Sequence, residues 1–127
     1  MAETVIKAFV LCDEITNSSS DSGQKDLRGA GLTFIRASGS FPIKHNFWVY
    51  VEITDQKSTG NIQLAIMRAD SGRRFFFRII PVQFPNPLQT TVVAIRVFEC
   101  SFPAPGVYYV ELWYDGQWTI DQRLEVV

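Results

Sequence analysis

The closing stretch, residues 105–127, constrains the fold more than any other part of this chain. Two runs of alternating side chains flank Asp115-Gly116, and that dipeptide between alternating apolar residues is a strong short-range hairpin signal. In the first run Tyr108, Val110, Leu112 and Tyr114 share one face. In the second Ile120, Gln122, Leu124 and Val126 do, with Thr119, Asp121, Arg123 and Glu125 opposite. Side chains of a strand alternate with period two, so the pattern describes a sheet with one face on a core. It speaks to fold and leaves function open.

Turn chemistry divides the rest of the chain into similar pieces. Eight β-segments are expected, over residues 4–12, 27–37, 47–54, 61–69, 73–84, 90–102, 107–114 and 118–127. Ser71-Gly72 marks a tight turn, while the prolines of residues 84–88 and 102–106 cannot donate to a ladder and so end strands. Residues 13–26 are polar and small, and read as a loop. In 90–102 the apolar parity of Val93, Ile95 and Val97 changes before Cys100 and Phe102, which calls for a β-bulge near Phe98-Glu99. Segment 73–84 is apolar on both faces, as expected of a central strand or one that meets a second chain.

The fold class that follows is all-β: an antiparallel β-sandwich of seven to nine strands, immunoglobulin-like or related. Ten Phe, four Tyr and three Trp suit pleated surfaces and sandwich cores. The length of 127 residues suits a single domain over 1–127. The expected core is Ile6, Ala8, Val10, Phe34, Val49, Val51, Leu64, Ile66, Val93, Ile95, Tyr108, Val110, Leu112, Ile120 and Leu124.

Net charge is −1, whereas electrostatic binding of nucleic acid needs a surplus of Lys and Arg. The start is acidic, and the apolar residues 5–11 include Lys7 and are too few to span a bilayer. The expectation is a cytoplasmic protein with neither nucleic acid nor membrane as partner. Cys12 and Cys100 lie in apolar runs and read as small buried hydrophobes; a disulfide between them would run against a reducing compartment.

Catalytic chemistry finds little purchase. His45, the sole histidine, reads as a loop residue, and no nucleophile elbow, phosphate-cradling glycine loop or paired Cys/His spacing is present. No cofactor or metal is implied. Asp13, Glu14, Asp21 and Asp26 cluster around the polar loop, but their spacing matches no calcium motif. Aromatics off the core face are more informative: Trp48 and Tyr50 project together from one strand, Tyr109 and Trp113 from another. Were those strands neighbours, the four would form one platform for a partner chain or a sugar. Arg68, Arg73, Arg74 and Arg78 surround one turn as a patch for anions or as a solvated strand edge.

The segment from Ala8 to Ile15 ends a strand in Cys12-Asp13, and a Gly23-Gln-Lys turn leads to Gly29, Leu32–Ile35 and Phe41-Pro42. In these features, and in its closing Gly-x-Tyr hairpin, the chain resembles a family of small uncharacterised bacterial proteins. The resemblance implies a β-sandwich and carries no activity or site. Pro105-Gly-Val-Tyr-Tyr followed by Asp115-Gly116 is also similar to the last hairpin of many immunoglobulin-like sandwiches, which bears on architecture alone.

The expected role is therefore a non-catalytic interaction or structural module, binding a protein partner or another copy of itself. Trp48, Tyr50, Tyr109 and Trp113 are the candidate contacts, with Arg73 and Arg74 at the rim. The alternatives are a ligand-binding module, for carbohydrate through the aromatics or calcium through residues 13–26, and then an enzyme of unrecognised type.

Overall fold

The computed structural model describes residues 5–17, 25–54, 59–84 and 89–127. Among them are ten strands: β1 (Val5–Cys12), β2 (Glu14–Asn17), β3 (Lys25–Arg28), β4 (Phe34–Ile35), β5 (Ile43–Thr54), β6 (Thr59–Arg68), β7 (Arg74–Gln83), β8 (Thr91–Phe102), β9 (Gly106–Tyr114) and β10 (Gln117–Val126). A three-stranded sheet runs β1-β5-β8, a five-stranded sheet runs β4-β10-β9-β6-β7, and β2 pairs with β3. The fold is an antiparallel β-sandwich in which, among the described residues, only β4, beside β10, pairs parallel.

Ten strands exceed the expected seven to nine because residues 13–37 are more finely divided than their composition implies. Instead of one loop and one long strand, they carry β2, β3 and β4. Glu14 through Asn17 pair with Arg28 through Lys25, and Ile15 is buried. A strand over residues 27–37 fails because Gly29 and Gly31 take positive φ, which breaks the extended backbone. The middle of the expected loop, residues 18–24, lies outside the described residues.

The core lies between the inner faces of the two large sheets. The three-stranded sheet contributes Phe9, Leu11, Phe47, Val49, Val51, Ile53, Ile95 and Val97. Ile62, Leu64, Ile66, Tyr108, Val110, Leu112, Leu124 and Val126 face them from the five-stranded sheet. Alternation placed most of these correctly. It failed on β1, where the register with β5 slips between Ile6 and Ala8. Ile6 still packs against the core, but after the slip Phe9 and Leu11 point inward, and Ala8 and Val10 turn out beside Glu52 and Tyr50. One residue of bulge exchanges the faces of everything beyond it. Phe34 is corrected likewise: it is 42% exposed, and Ile35 takes the core position next to buried Val126.

The bulge expected in β8 is present. Register shifts between His45/Phe47 on β5 and Cys100/Val97 on β8, leaving Phe98 and Glu99 as the additional residues. Glu99 adopts a φ of 52°, and its amide donates to Asn46 Oδ1 at 2.6 Å, which satisfies a donor that the disrupted ladder leaves free. In the last hairpin, Asp115 and Gly116 both have positive φ (47° and 83°), the requirement of a type I′ turn. Asp115 Oδ1 also accepts the Asn61 amide at 2.9 Å, tying the hairpin tip to β6. Beside that tip Gly60 leaves room for a ring, since a Cβ there would overlap the phenol of Tyr114.

One end of the sandwich is closed by aromatics. Phe75, Phe102 and Tyr108 meet edge to face, with centroids 5.1 to 5.9 Å apart. Fully buried Tyr108 donates its hydroxyl to the Ala104 carbonyl at 2.5 Å, anchoring the Pro-rich crossing from β8 to β9.

Candidate functional site

The four candidate aromatics do not share a surface. β5 and β9 belong to different sheets, so Trp48 and Tyr50 line the outer face of one sheet, and Tyr109 and Trp113 line the outer face of the other. All four are half-buried. The single platform envisaged from the sequence is thus replaced by two faces on opposite sides of the core, because Val49, Val51, Val110 and Leu112 must point towards each other.

Tyr50 is held locally, donating its hydroxyl to Glu52 Oε2 at 2.9 Å. Burial, and then the Glu52 carboxylate, push its phenol pKa up. Trp48 stands opposite Cys12 on β1. Further out on this face, Arg96 lies 4.6 Å over the exposed ring of Phe98.

The other face is more extensive. Register aligns Trp118 of β10, Trp113 of β9, Gln63 of β6 and Ile79 of β7 in one cross-strand row. The next row is Asp121, Glu111, Ala65 and Phe77, and the one after it Arg123, Tyr109, Met67 and Arg74. Trp118, Phe77 and Ile79 are exposed by 53%, 59% and 54%. Their exposure is uncommon for side chains of this size, and they sit together around a polar centre.

That centre is Glu111, only 4% exposed although it points away from the core. Arg74 donates to it through both Nε (2.7 Å) and Nη2 (3.2 Å), and Trp113 Nε1 donates to Oε1 at 3.3 Å. The guanidinium also lies 5.4 Å over the Trp113 ring. The Glu111 carboxylate raises the Arg74 pKa, so the guanidinium is charged at any physiological pH. A planar guanidinium fork held on a carboxylate and an indole is a rigid arrangement. Of the residues singled out from sequence, Tyr109, Trp113 and Arg74 come together here, and Arg73 lies on the adjoining turn. Sequence reasoning missed Trp118, Phe77, Ile79 and Glu111. The two-sided apolarity of residues 73–84 was the available signal for Phe77 and Ile79.

β7 is an edge strand rather than a central one. The edges of the two sheets are treated unequally. On the β1 side, Gln122 Nε2 donates to the Phe9 carbonyl at 3.0 Å, and the amides of Gly31 and Leu32 both donate to the Leu11 carbonyl at 2.9 Å. On the other side, Arg78 Nη1 donates to the Arg96 carbonyl at 2.8 Å, bridging β7 to β8 across the sandwich.

The groups considered for catalysis and metal binding fall elsewhere. His45 is in β5, not in a loop, and stands opposite Cys100 in the ladder. It lines a shallow cleft of about 270 Å³ with Arg36, Lys44, Ser38 and Ser40, and no carboxylate is among the lining residues. Both cysteines are free and buried. Burial pushes the Cys100 thiol up to about 12, and burial followed by Asp13 raises that of Cys12. A protonated thiol is a poor nucleophile. The same shift carries a stability consequence. Between the ordinary thiol pKa of 9.0 and about 12 the unfolded chain gives up a proton that native Cys100 retains, so native stability falls as pH rises through that window. The slope from this group is at most about 1.4 kcal/mol per pH unit. Urea titrations at pH 8, 9 and 10 are expected to show the decline, and Cys100→Ala is expected to make it shallower, leaving the part that raised Cys12 and Tyr50 contribute.

Of the acids considered for calcium, Asp21 lies outside the described residues. Among the described residues no three His, Cys, Asp or Glu side chains gather as a metal site, and no helix is long and apolar enough to cross a membrane.

Comparison with known proteins places this geometry in context. A β-glucosidase from Listeria innocua is similar in structure, with a TM-score of 0.53 and 11% identity over 99% of this chain. A β-glucosidase from Erythrobacter marinus is similar too, with a TM-score of 0.55 and 12% identity over 99% of the chain. The chain spans 16% of the length of each, and identity this low speaks to fold alone. No curated protein matches the chain. A profile described as a family of unknown function, DUF6941, matches residues 7–127, from β1 to the last residue of the closing hairpin. The chain, read together with the sandwich and hairpin that span this match, belongs to the family of unknown function DUF6941.

Proposed function

We propose that this protein is a non-catalytic interaction module of the cytoplasm, and that it docks a second copy of itself through the outer face of the five-stranded sheet. One observation carries the reading: Trp118, Phe77 and Ile79 stand exposed around the preordered Arg74–Glu111–Trp113 group. Trp, Tyr, Phe, Met and Arg are the side chains enriched in the buried centre of interfaces, and all five types lie in these three rows. The charged groups favour a like partner, since Arg74 is paired with Glu111 and Arg123 with Glu125 (3.4 Å) within one chain. Two such faces meet without a large like-charge penalty. β7, at the margin of the same face, offers an open edge for a two-fold contact.

The immunoglobulin-like assignment belongs to this reading as well. Its support is Tyr108, whose hydroxyl bonds four residues back at the corner entering β9, as in the tyrosine corner of such sandwiches. The two unpaired buried cysteines suit a reducing compartment, and the high Cys100 pKa suits a role without thiol chemistry.

Light scattering across a concentration series tests the proposal. The expected result is a dimer that the double variant Trp118→Ser, Phe77→Ser converts to monomer, with at least a roughly tenfold rise in dissociation constant, the scale of losing one interface anchor or more. A wild-type monomer at every concentration, or a dimer indifferent to the double variant, would overturn it.

A further inference from the structure

At the end of the sandwich closed by aromatics, a cleft of about 730 Å³ opens between the two sheets. Arg68 at the end of β6, Ser71 and Arg73 of the turn, and Arg74 and Phe75 at the start of β7 form one wall. Ser101 of β8 and Pro103 beyond it form the other. We infer that this cleft is a binding site for a small oxyanion, a phosphate or carboxylate, carried on a flat apolar body.

The charge comes from three arginines that line this space, Arg68, Arg73 and Arg74. Arg68 Nε contacts Asp70 at 2.9 Å, and Arg74 is held by Glu111, so two of the guanidinium groups are oriented by carboxylates within the chain. Arg73 has no acidic partner among the described residues. A guanidinium carries five N–H donors and one carboxylate engages at most two of them, so even the paired arginines keep donors for a ligand. The turn is itself braced: the Arg68 amide donates to the Arg73 carbonyl at 2.9 Å, the Gly72 amide to the Arg68 carbonyl at 2.8 Å. The Arg73 amide donates to Ser71 Oγ at 3.3 Å, which leaves that hydroxyl's proton free to meet an oxyanion.

Selectivity for a flat body comes from Phe75. It is the additional residue where the β6–β7 register shifts between Ile66 and Met67, and the bulge turns its ring inward against Phe102 and Tyr108. Packed on two rings, it cannot swing away, and with Pro103 it supplies an apolar wall beside the arginines. The volume is that of a small-molecule site rather than a groove for a chain. The cleft shares Arg74 with the proposed dimer face, but Arg68, Ser71, Arg73, Phe75 and Pro103 belong to the cleft alone, and Trp118, Phe77 and Ile79 do not line it.

The probes are phenyl phosphate, benzoate and inorganic phosphate, titrated into isotope-labelled protein and followed by backbone amide and arginine Nε–H shifts. Phenyl phosphate and benzoate are expected to saturate, with the largest shifts over residues 68–75 and 101–103. Inorganic phosphate is expected to bind about fivefold more weakly or worse, for want of stacking on Phe75. Arg73→Gln is expected to weaken phenyl phosphate about tenfold, the scale of one charge-assisted hydrogen bond. Arg78→Gln, an exposed arginine outside the cleft, should leave binding unchanged. Shifts that do not saturate or that spread over every arginine, an affinity unaltered in Arg73→Gln, or inorganic phosphate binding as well as phenyl phosphate would each overturn the inference.

Discussion

Tyr108→Ala is expected to lower the free energy of unfolding by about 4 kcal/mol, as removing a fully buried aromatic from a packed core does. The residue is wholly inaccessible to solvent and touches both Phe75 and Phe102 edge to face, so its loss opens a void at the meeting point of the sheets. Its hydroxyl does a second job, donating to the Ala104 carbonyl and accepting the Ala104 amide at 3.4 Å. Tyr108→Phe keeps the ring and removes only this bridge, and is expected to cost about 1–2 kcal/mol, because the half-buried Ala104 groups lose a partner. Urea unfolding of the two variants separates packing from polar anchoring. Equal losses would show that the corner, not the ring cluster, carries the stability of this end. A negligible loss in Tyr108→Ala would contradict the burial of the ring.

Phe9→Ala and Val10→Ala form the second expected contrast. Phe9 sits in the core, so its truncation is expected to cost about 3–5 kcal/mol, whereas Val10, on the half-covered outer face beside Tyr50, is expected to cost about 1 kcal/mol. The ratio reads the β1 register directly. Plain alternation from Ile6 puts Val10 inside and Phe9 outside, and would reverse the order of the two variants. Chemical denaturation of both proteins with matched m-values decides between the registers.

Much of the architecture was legible because strand signals are local. Phe47 to Ile53 and Ile62 to Ile66 alternate without interruption, and their inward residues are all buried, joined among the outward ones only by the small Ala65. The β8 bulge was legible too, since apolar parity changes within one strand when an extra residue is inserted into it. The β1 bulge was not. Ile6, Ala8 and Val10 alternate as well as Phe9 and Leu11 do, and only pairing with β5 distinguishes them. β2 and β3 were hidden because four polar-rich residues each give no periodic signal.

For the candidate site the division is sharper. The residue types that would make an interaction surface were visible, and Tyr109, Trp113 and Arg74 do converge on it. Trp48 and Tyr50 were grouped with them and are instead on the far side of the core. Glu111 read as one more outward acid of an alternating strand, with no hint that Arg74, distant in sequence, would close over it.

The amino-acid sequence by itself determined that strands form, where most of them end, and that the last two make a hairpin at Asp115-Gly116. Period-two alternation, proline and glycine act within a few residues, so no tertiary context is needed to read them. Tertiary structure alone decided which strands are neighbours, and therefore that Trp113 stands beside Trp118 and Gln63, with Ile79 next in the row, rather than beside Trp48. Strand order is selected by how two whole inner faces pack, an energy shared among residues far apart in the chain and written in no single segment of it.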